Sequence, residues 1–219
     1  MAHRFSGDPA PNTTTSPGPT DPSPSILDQV KFGVAAVAKS FTIDMWLARH
    51  TPQKVLPVLH SVLTSIREEF ADAVANGGGI YAAGYCFGAK YALLLAGELH
   101  ADVVAGQRAP ETEAEEGMVR QGAQVKCAAI AHGTQCTAEE LAGVKVPVSV
   151  VAVRDDPLFP DQDREKGMEA LQKSGVENEC AVYEGVPHGF AVVGEYEEPS
   201  IREKQGEAFR QMVGWLKAH

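Results

Sequence analysis

The chain has 219 residues, which suits one large domain better than two, and its 44% apolar content is that of a globular protein with a packed core. The formal net charge of −10 argues against a nucleic-acid partner, whose phosphates call for clustered Lys and Arg. No apolar run reaches the about 18 residues of a membrane span, and the start lacks the basic and apolar regions of a signal peptide, so a soluble, cytoplasmic protein is expected.

Residues 1–25 hold Pro9, Pro11, Pro17, Pro19, Pro22 and Pro24 among Ser, Thr, Asn and Gly. Too little apolar surface is present to offset ordering entropy, so this stretch reads as a loop or disordered arm. The domain proper is expected over 26–219. Ser25 can cap a helix running to about residue 39, and a short helical piece follows at 41–50. A long amphipathic helix is predicted over 53–76, because Val55, Leu59, Val62, Ile66, Phe70 and Val74 recur at spacings of three and four. Pro57 fits only near its first turn, and Gly77, Gly78 and Gly79 end it.

Residues 80–84 then read as a short buried strand and 87–99 as a helix. Three further apolar runs, 125–131, 146–153 and 180–183, read as buried strands. Helices are expected at 138–142, 161–174 and 201–218. There is no internal repeat. Strands alternating with helices predict an α/β fold, a mostly parallel sheet flanked by helices on both faces.

The four cysteines, Cys86, Cys127, Cys136 and Cys180, show no CxxC pairing, so no zinc site is expected and free thiols are the default. Cys127 and Cys180 fall inside apolar strands and read as core; Cys136 reads as a loop thiol. His60, on the long helix, reads as solvated, and 111–116 as a charged, exposed loop.

Three places can carry chemistry. The first is Gly84-Tyr85-Cys86-Phe87-Gly88, between a predicted strand and a predicted helix. A nucleophile on such a sharp turn needs small residues two before and two after it. The helix N-terminus favours a thiolate at Cys86, and the Phe87 N–H points where an oxyanion would form. The plainer alternative is a core cysteine in a glycine-rich turn. The second is Asp155-Asp156, directly after the strand at 146–153, where a carboxylate can orient a histidine; two solvated turn aspartates are the alternative. The third is His188, between Pro187 and Gly189 after the strand at 180–183. Nucleophile, acid and base thus follow one another in α/β-hydrolase order, each after its own strand. His132, after the strand ending at 131, either lines a pocket or is simply a polar strand end.

GYCFGAK at 84–90, DDPLFP at 155–160 and PHGFAVVG at 187–194 together resemble the dienelactone hydrolase family, especially its fungal branch. WLARHTPQKVLPVLHSV at 46–62 and FSGDPAP at 5–11 extend the likeness along most of the chain. The resemblance implies an α/β-hydrolase fold and cleavage of a lactone or ester through a thiol ester intermediate. Cys86 would be the nucleophile, His188 the base and acid, and Asp156 the orienting acid, with Asp155 its less favoured neighbour. Tyr85, His132 and Phe190 are the candidate pocket side chains. No metal or organic cofactor is implied. The implied partner is a small lactone or ester, the implied state a monomer or homodimer, and some fungal members serve secondary-metabolite pathways.

Two departures from the family shape these expectations. Val192 and Val193 stand where members often carry an Arg for an anionic substrate group, so a neutral lactone or ester is expected. The 85 residues before Cys86 look mostly helical, whereas the fold builds several strands there, one with a loop giving a second oxyanion N–H. The expectation is a domain shortened at its N-terminal side, and a degenerate hydrolase that binds a small molecule or partner is the competing reading.

Overall fold

The computed structural model describes residues 43, 45–100, 120–192 and 194–219. The expected arm at 1–25, the helix to residue 39, the loop at 111–116 and Val193 lie outside the described residues. The chain divides into two compact units, Met1–Arg49 and His50–His219. In the first, residues 43 and 45–49 are helical, within the predicted piece at 41–50.

The second unit opens with α1 (Pro52–Glu69) and α2 (Ala71–Asn76). These replace the single helix expected at 53–76. The chain bends at Phe70, which leaves helical geometry at φ −114° and ψ 33° although no Gly or Pro marks the place. Because the helix starts at Pro52, Pro57 lies past the first turn, where it removes one intrahelical hydrogen bond. His60 is half-buried on α1 rather than solvated.

Next come β1 (Tyr81–Tyr85) and α3 (Phe87–Ala96). Helix α3 stops short of the predicted residue 99, because Gly97 turns to extended geometry. A small antiparallel pair, β2 (Leu99–His100) with β3 (Arg120–Gln121), follows. The remaining elements are β4 (Cys127–Ala131), α4 (Ala138–Ala142), β5 (Val148–Val153), α5 (Asp161–Ser174), β6 (Asn178–Tyr183) and α6 (Pro199–Ala218). β5 begins after Pro147, which has no N–H to give a ladder. α6 begins at Pro199, whose fixed φ suits the first helical position.

Strands β1, β4, β5 and β6 form one sheet in the order β1-β4-β5-β6, every neighbouring pair parallel. Side chains alternate across it with period two. On one face Ala128, Ile130, Val148, Val150 and Ala152 pack with Leu56 and Leu63 of α1, Leu93 of α3, Leu141 of α4 and Leu171 of α5. On the other, Ala129, Ala131, Val151 and Val153 meet Phe190 and, from α6, Ala208 and Met212. β4 and β5 are fully buried, as their continuous apolar runs predict.

β6 differs from its prediction. It starts two residues early, with Asn178 and Glu179, and is only partly buried because it lies at the sheet edge. An edge strand needs no unbroken apolar run, so only its second half was visible in the sequence. Cys180 is therefore exposed and not a core residue, while Cys127 is buried as expected; Cys136 lies in a loop, as expected, and is buried there.

Candidate active site

Each of the four sheet strands delivers one polar group at its carboxyl end, the position where open parallel sheets collect functional side chains. Cys86 follows β1, Thr134 follows β4, Asp156 follows β5 and His188 follows β6.

Cys86 is the hinge between β1 and α3. Its backbone is held at φ 51° and ψ −120°, a region that non-glycine residues adopt only when their surroundings enforce it. Its N–H donates to the Ala131 carbonyl, and its carbonyl accepts from Ala89 and Thr134. The two flanking glycines are unequal. A Cβ on Gly84 would lie 2.6 Å from the Gly88 carbonyl oxygen and 2.8 Å from Ala89 Cα, whereas one on Gly88 meets no described atom within 4 Å. The expectation that both positions must be small holds at Gly84 alone.

His188 Nε2 lies 3.3 Å from Cys86 Sγ. On its other side Nδ1 lies 2.7 Å from Asp156 Oδ2, and since a carboxylate only accepts, Nδ1 carries the proton. The second Asp156 oxygen accepts from the Leu158 N–H at 3.0 Å. Asp156 is buried; Asp155 is exposed, at a left-handed φ of 56°. Geometry thus separates the two aspartates that the sequence left side by side.

The charges reinforce one another. Burial opposes a proton on His188, but hydrogen bonds to Asp156 and Cys86, together with their negative charges, push its pKa up to about 9. The hydrogen bond from His188 lowers the Cys86 thiol below its usual range against the cost of burial; Thr134 and the Phe87 N–H act in the same direction. Cys86 also sits at the N-terminus of α3, the positive end of the helix. By contrast, burial and then the Glu140 charge push the Cys136 thiol up to about 12.

His132 ends β4 with its ring wholly buried between Tyr85, His188 and Phe190, at centroid distances of 5.9, 5.1 and 6.2 Å. Among the described residues neither ring nitrogen has a hydrogen-bond partner. Burial, helped by the nearby His188 charge, lowers its pKa to about 4, so it stays neutral beside the charged His188. Phe190 is likewise fully buried, against Tyr183 and His132, while Tyr85 is half-buried. Val192 is exposed.

Thr134 escaped the sequence reading. Its Oγ1 lies 3.1 Å from Cys86 Sγ and 3.3 Å from His188 Nε2. The one available signal was position: a hydroxyl three residues beyond a buried parallel strand, two past the His132 that drew attention instead. Among the described residues no group of three or more His, Cys, Asp or Glu could hold a metal ion, and no helix is long and apolar enough to cross a membrane.

With this geometry in view, the sequence profile of the dienelactone hydrolase family matches residues 115–219, the stretch that carries Thr134, Asp156 and His188. That match takes in just under half of the chain. Beyond that stretch, the chain is similar to hydrolase tropI of Talaromyces stipitatus, at 27% identity over 172 residues, 78% of this chain and 56% of the relative. It is also similar to hydrolase pyvD of Aspergillus violaceofuscus, at 26% identity over 180 residues, 82% of this chain and 62% of the relative. The chain therefore spans well under two thirds of the length of these curated relatives. Among solved structures, a Klebsiella pneumoniae protein assigned as a dienelactone hydrolase superposes with a TM-score of 0.53 at 17% identity, covering 79% of this chain and 64% of that one. Esterase 2 of Thermogutta terrifontis, phosphorylated by paraoxon, does so with a TM-score of 0.54 at 18% identity, covering 76% and 67%. At such identities the likeness speaks for the fold, which is that of the α/β-hydrolases to which dienelactone hydrolases belong.

Proposed function

We propose that the chain hydrolyses a neutral ester or lactone through Cys86, His188 and Asp156. The observation that carries this reading is the His188 ring, with Nε2 at 3.3 Å from Cys86 Sγ and Nδ1 at 2.7 Å from buried Asp156. The match of residues 115–219 to the dienelactone hydrolase family supports the same class of reaction. Val192, in place of a cation, favours an uncharged substrate.

In the mechanism, His188 takes the proton of Cys86 and becomes the imidazolium that Asp156 stabilises. The thiolate sulfur attacks the ester carbonyl carbon, and the carbonyl electron pair moves to oxygen, where the Phe87 N–H receives it. When the tetrahedral adduct collapses, the C–O bond to the leaving group breaks and the alkoxide takes the proton from His188 Nε2. For a lactone the alkoxide stays tethered to the acyl group. Water then attacks the thioester carbonyl while giving a proton to Nε2, and the second collapse releases the acid and the Cys86 thiolate.

The rate requires thiolate and imidazolium together. It should rise as Cys86 deprotonates below the usual thiol range and fall as His188 loses its proton near pH 9. The test is a panel of aryl esters and lactones assayed with the purified protein, Cys86→Ala and His188→Asn. Each variant should lose about 1,000-fold or more in kcat/KM while retaining its circular dichroism spectrum. Equal turnover by the wild type and Cys86→Ala would sink the proposal. A wild type that turns over none of the panel would favour the reading as a binding protein.

A further inference from the structure

The contacts around the nucleophile close a triangle rather than a line. Cys86 Sγ, His188 Nε2 and Thr134 Oγ1 lie 3.1, 3.3 and 3.3 Å apart. Thr134 is buried, and its N–H donates to the Cys86 carbonyl at 3.1 Å, so backbone and side chain both tie it to the elbow. The loop that carries it is fastened to α3, because Lys90 of that helix donates to the Gln135 carbonyl at 2.7 Å and pairs with Glu140.

A hydroxyl has one proton and two lone pairs. Beside a neutral thiol and a neutral imidazole its proton is of little use, since the S–H already donates to Nε2 and sulfur is a weak acceptor. Beside a thiolate and an imidazolium every valence is used. The imidazolium Nε2–H has the sulfur and Oγ1 as acceptors, and the Thr134 O–H donates to the anionic sulfur. Hydrogen bonds to charged groups are about twice as strong as neutral ones, so the hydroxyl favours the charged pair over the neutral one.

We propose that Thr134 is a positioning residue that holds Cys86 and His188 as a thiolate–imidazolium pair, accepting from one and donating to the other. The role rests on reading Cys86 as the nucleophile. It involves no bond-making: the Thr134 proton stays on its oxygen and points at whichever neighbour carries negative charge. Once the acyl group sits on sulfur, that charge is gone and the hydroxyl is free to turn.

Among the described residues, few titratable groups face the pair. His188 and, behind it, Asp156 come from the loops after β6 and β5; His132 and Tyr85 come from the ends of β4 and β1; Cys136 lies in the loop before α4. His132 stays neutral above about pH 4, and Cys136 stays protonated below about 12, so neither changes charge in the range of the test.

The test follows the alkylation rate of each cysteine by iodoacetamide against pH, resolved by mass spectrometry, with exposed Cys180 as the internal comparison. Thr134→Val keeps the side-chain shape and removes the hydroxyl; Thr134→Ser keeps the hydroxyl and removes the methyl. The Cys86 midpoint should lie below the ordinary thiol range in the wild type, rise by about one pH unit in Thr134→Val, and return to the wild-type position in Thr134→Ser. Should the valine variant fail to fold, Thr134→Ala carries the same expectation. Coincident midpoints for wild type and Thr134→Val, or equal shifts in the valine and serine variants, overturn the assignment. Ester turnover measured in parallel separates the two readings. Turnover with an unmoved midpoint removes Thr134 from the role and leaves the hydrolase. A moved midpoint without turnover does the reverse.

Discussion

At the scale of single residues, the strained backbone of Cys86 depends on what stands two positions before it. A methyl group on Gly84 would meet backbone atoms of Gly88 and Ala89 that cannot rotate away. Gly84→Ala should therefore destabilise the fold by about 1–3 kcal/mol in urea unfolding and displace the thiol. Gly88→Ala has open space, lies in the first turn of α3, and should be neutral or stabilising by up to about 1 kcal/mol. A comparable loss from both would remove the distinction. The role proposed for Asp156 is one of charge and orientation. Asp156→Asn takes a negative charge from beside His188, so the upper limb of the pH–rate profile should move down from about 9 as the rate falls. An unmoved limb would mean that Asp156 does not set the basicity of His188. The same raised pKa has a counterpart in stability. The contribution of His188 is complete below its usual 6.5 and is lost as pH climbs through about 9.

At the scale of elements, legibility followed burial. β4 and β5 are buried on both faces, and their unbroken apolar runs announced them. The edge strand β6 could be seen only where it was apolar, and the break at Phe70 left no mark in the residue types. The site was half legible for a related reason. Cys86, Asp156 and His188 each follow an apolar run and stand in family order, so chain position sufficed. Thr134 is named by nothing but proximity, and proximity across the sheet exists only once β1, β4, β5 and β6 have joined it. Its loop is stiffened by the short helix α4. The Thr137 hydroxyl accepts from the Glu140 N–H at 3.2 Å, while Glu140 accepts from the Thr137 N–H at 3.0 Å. Glu140 also pairs with Lys90 of α3, so this cap joins two elements. Thr137→Ala should cost about 1 kcal/mol in chemical unfolding. No change in midpoint would mean that the tertiary packing of Leu141 alone holds α4.

At the scale of the whole second unit, its described residues cover the two faces of the sheet unequally. Four helices, α1, α3, α4 and α5, share one face. The other rests on α6 and the Phe190 loop, with Ala208 and Met212 the buried residues of the helix. Met212→Ala should cost about 2–5 kcal/mol, because no other helix among the described residues packs there to fill the gap. Phe209, 58% exposed on the same helix, should tolerate Ser within about 0.5 kcal/mol. Similar melting temperatures for the two variants would show that α6 is not what seals that face.

Cys86 and His188 stand 102 residues apart in the chain. Between them run β4, β5 and β6, and His188 reaches the sulfur only after the last of these has joined the sheet. A chain part-way through folding thus carries a cysteine without its imidazole partner, however complete β1 and α3 already are. Contacts of such long range come late, because loop closure must precede them. The onset of fast alkylation at Cys86 during refolding is accordingly a clock for the final strand. On the role proposed for Cys86, copies that have yet to place their last strand lack the pair on which the chemistry depends.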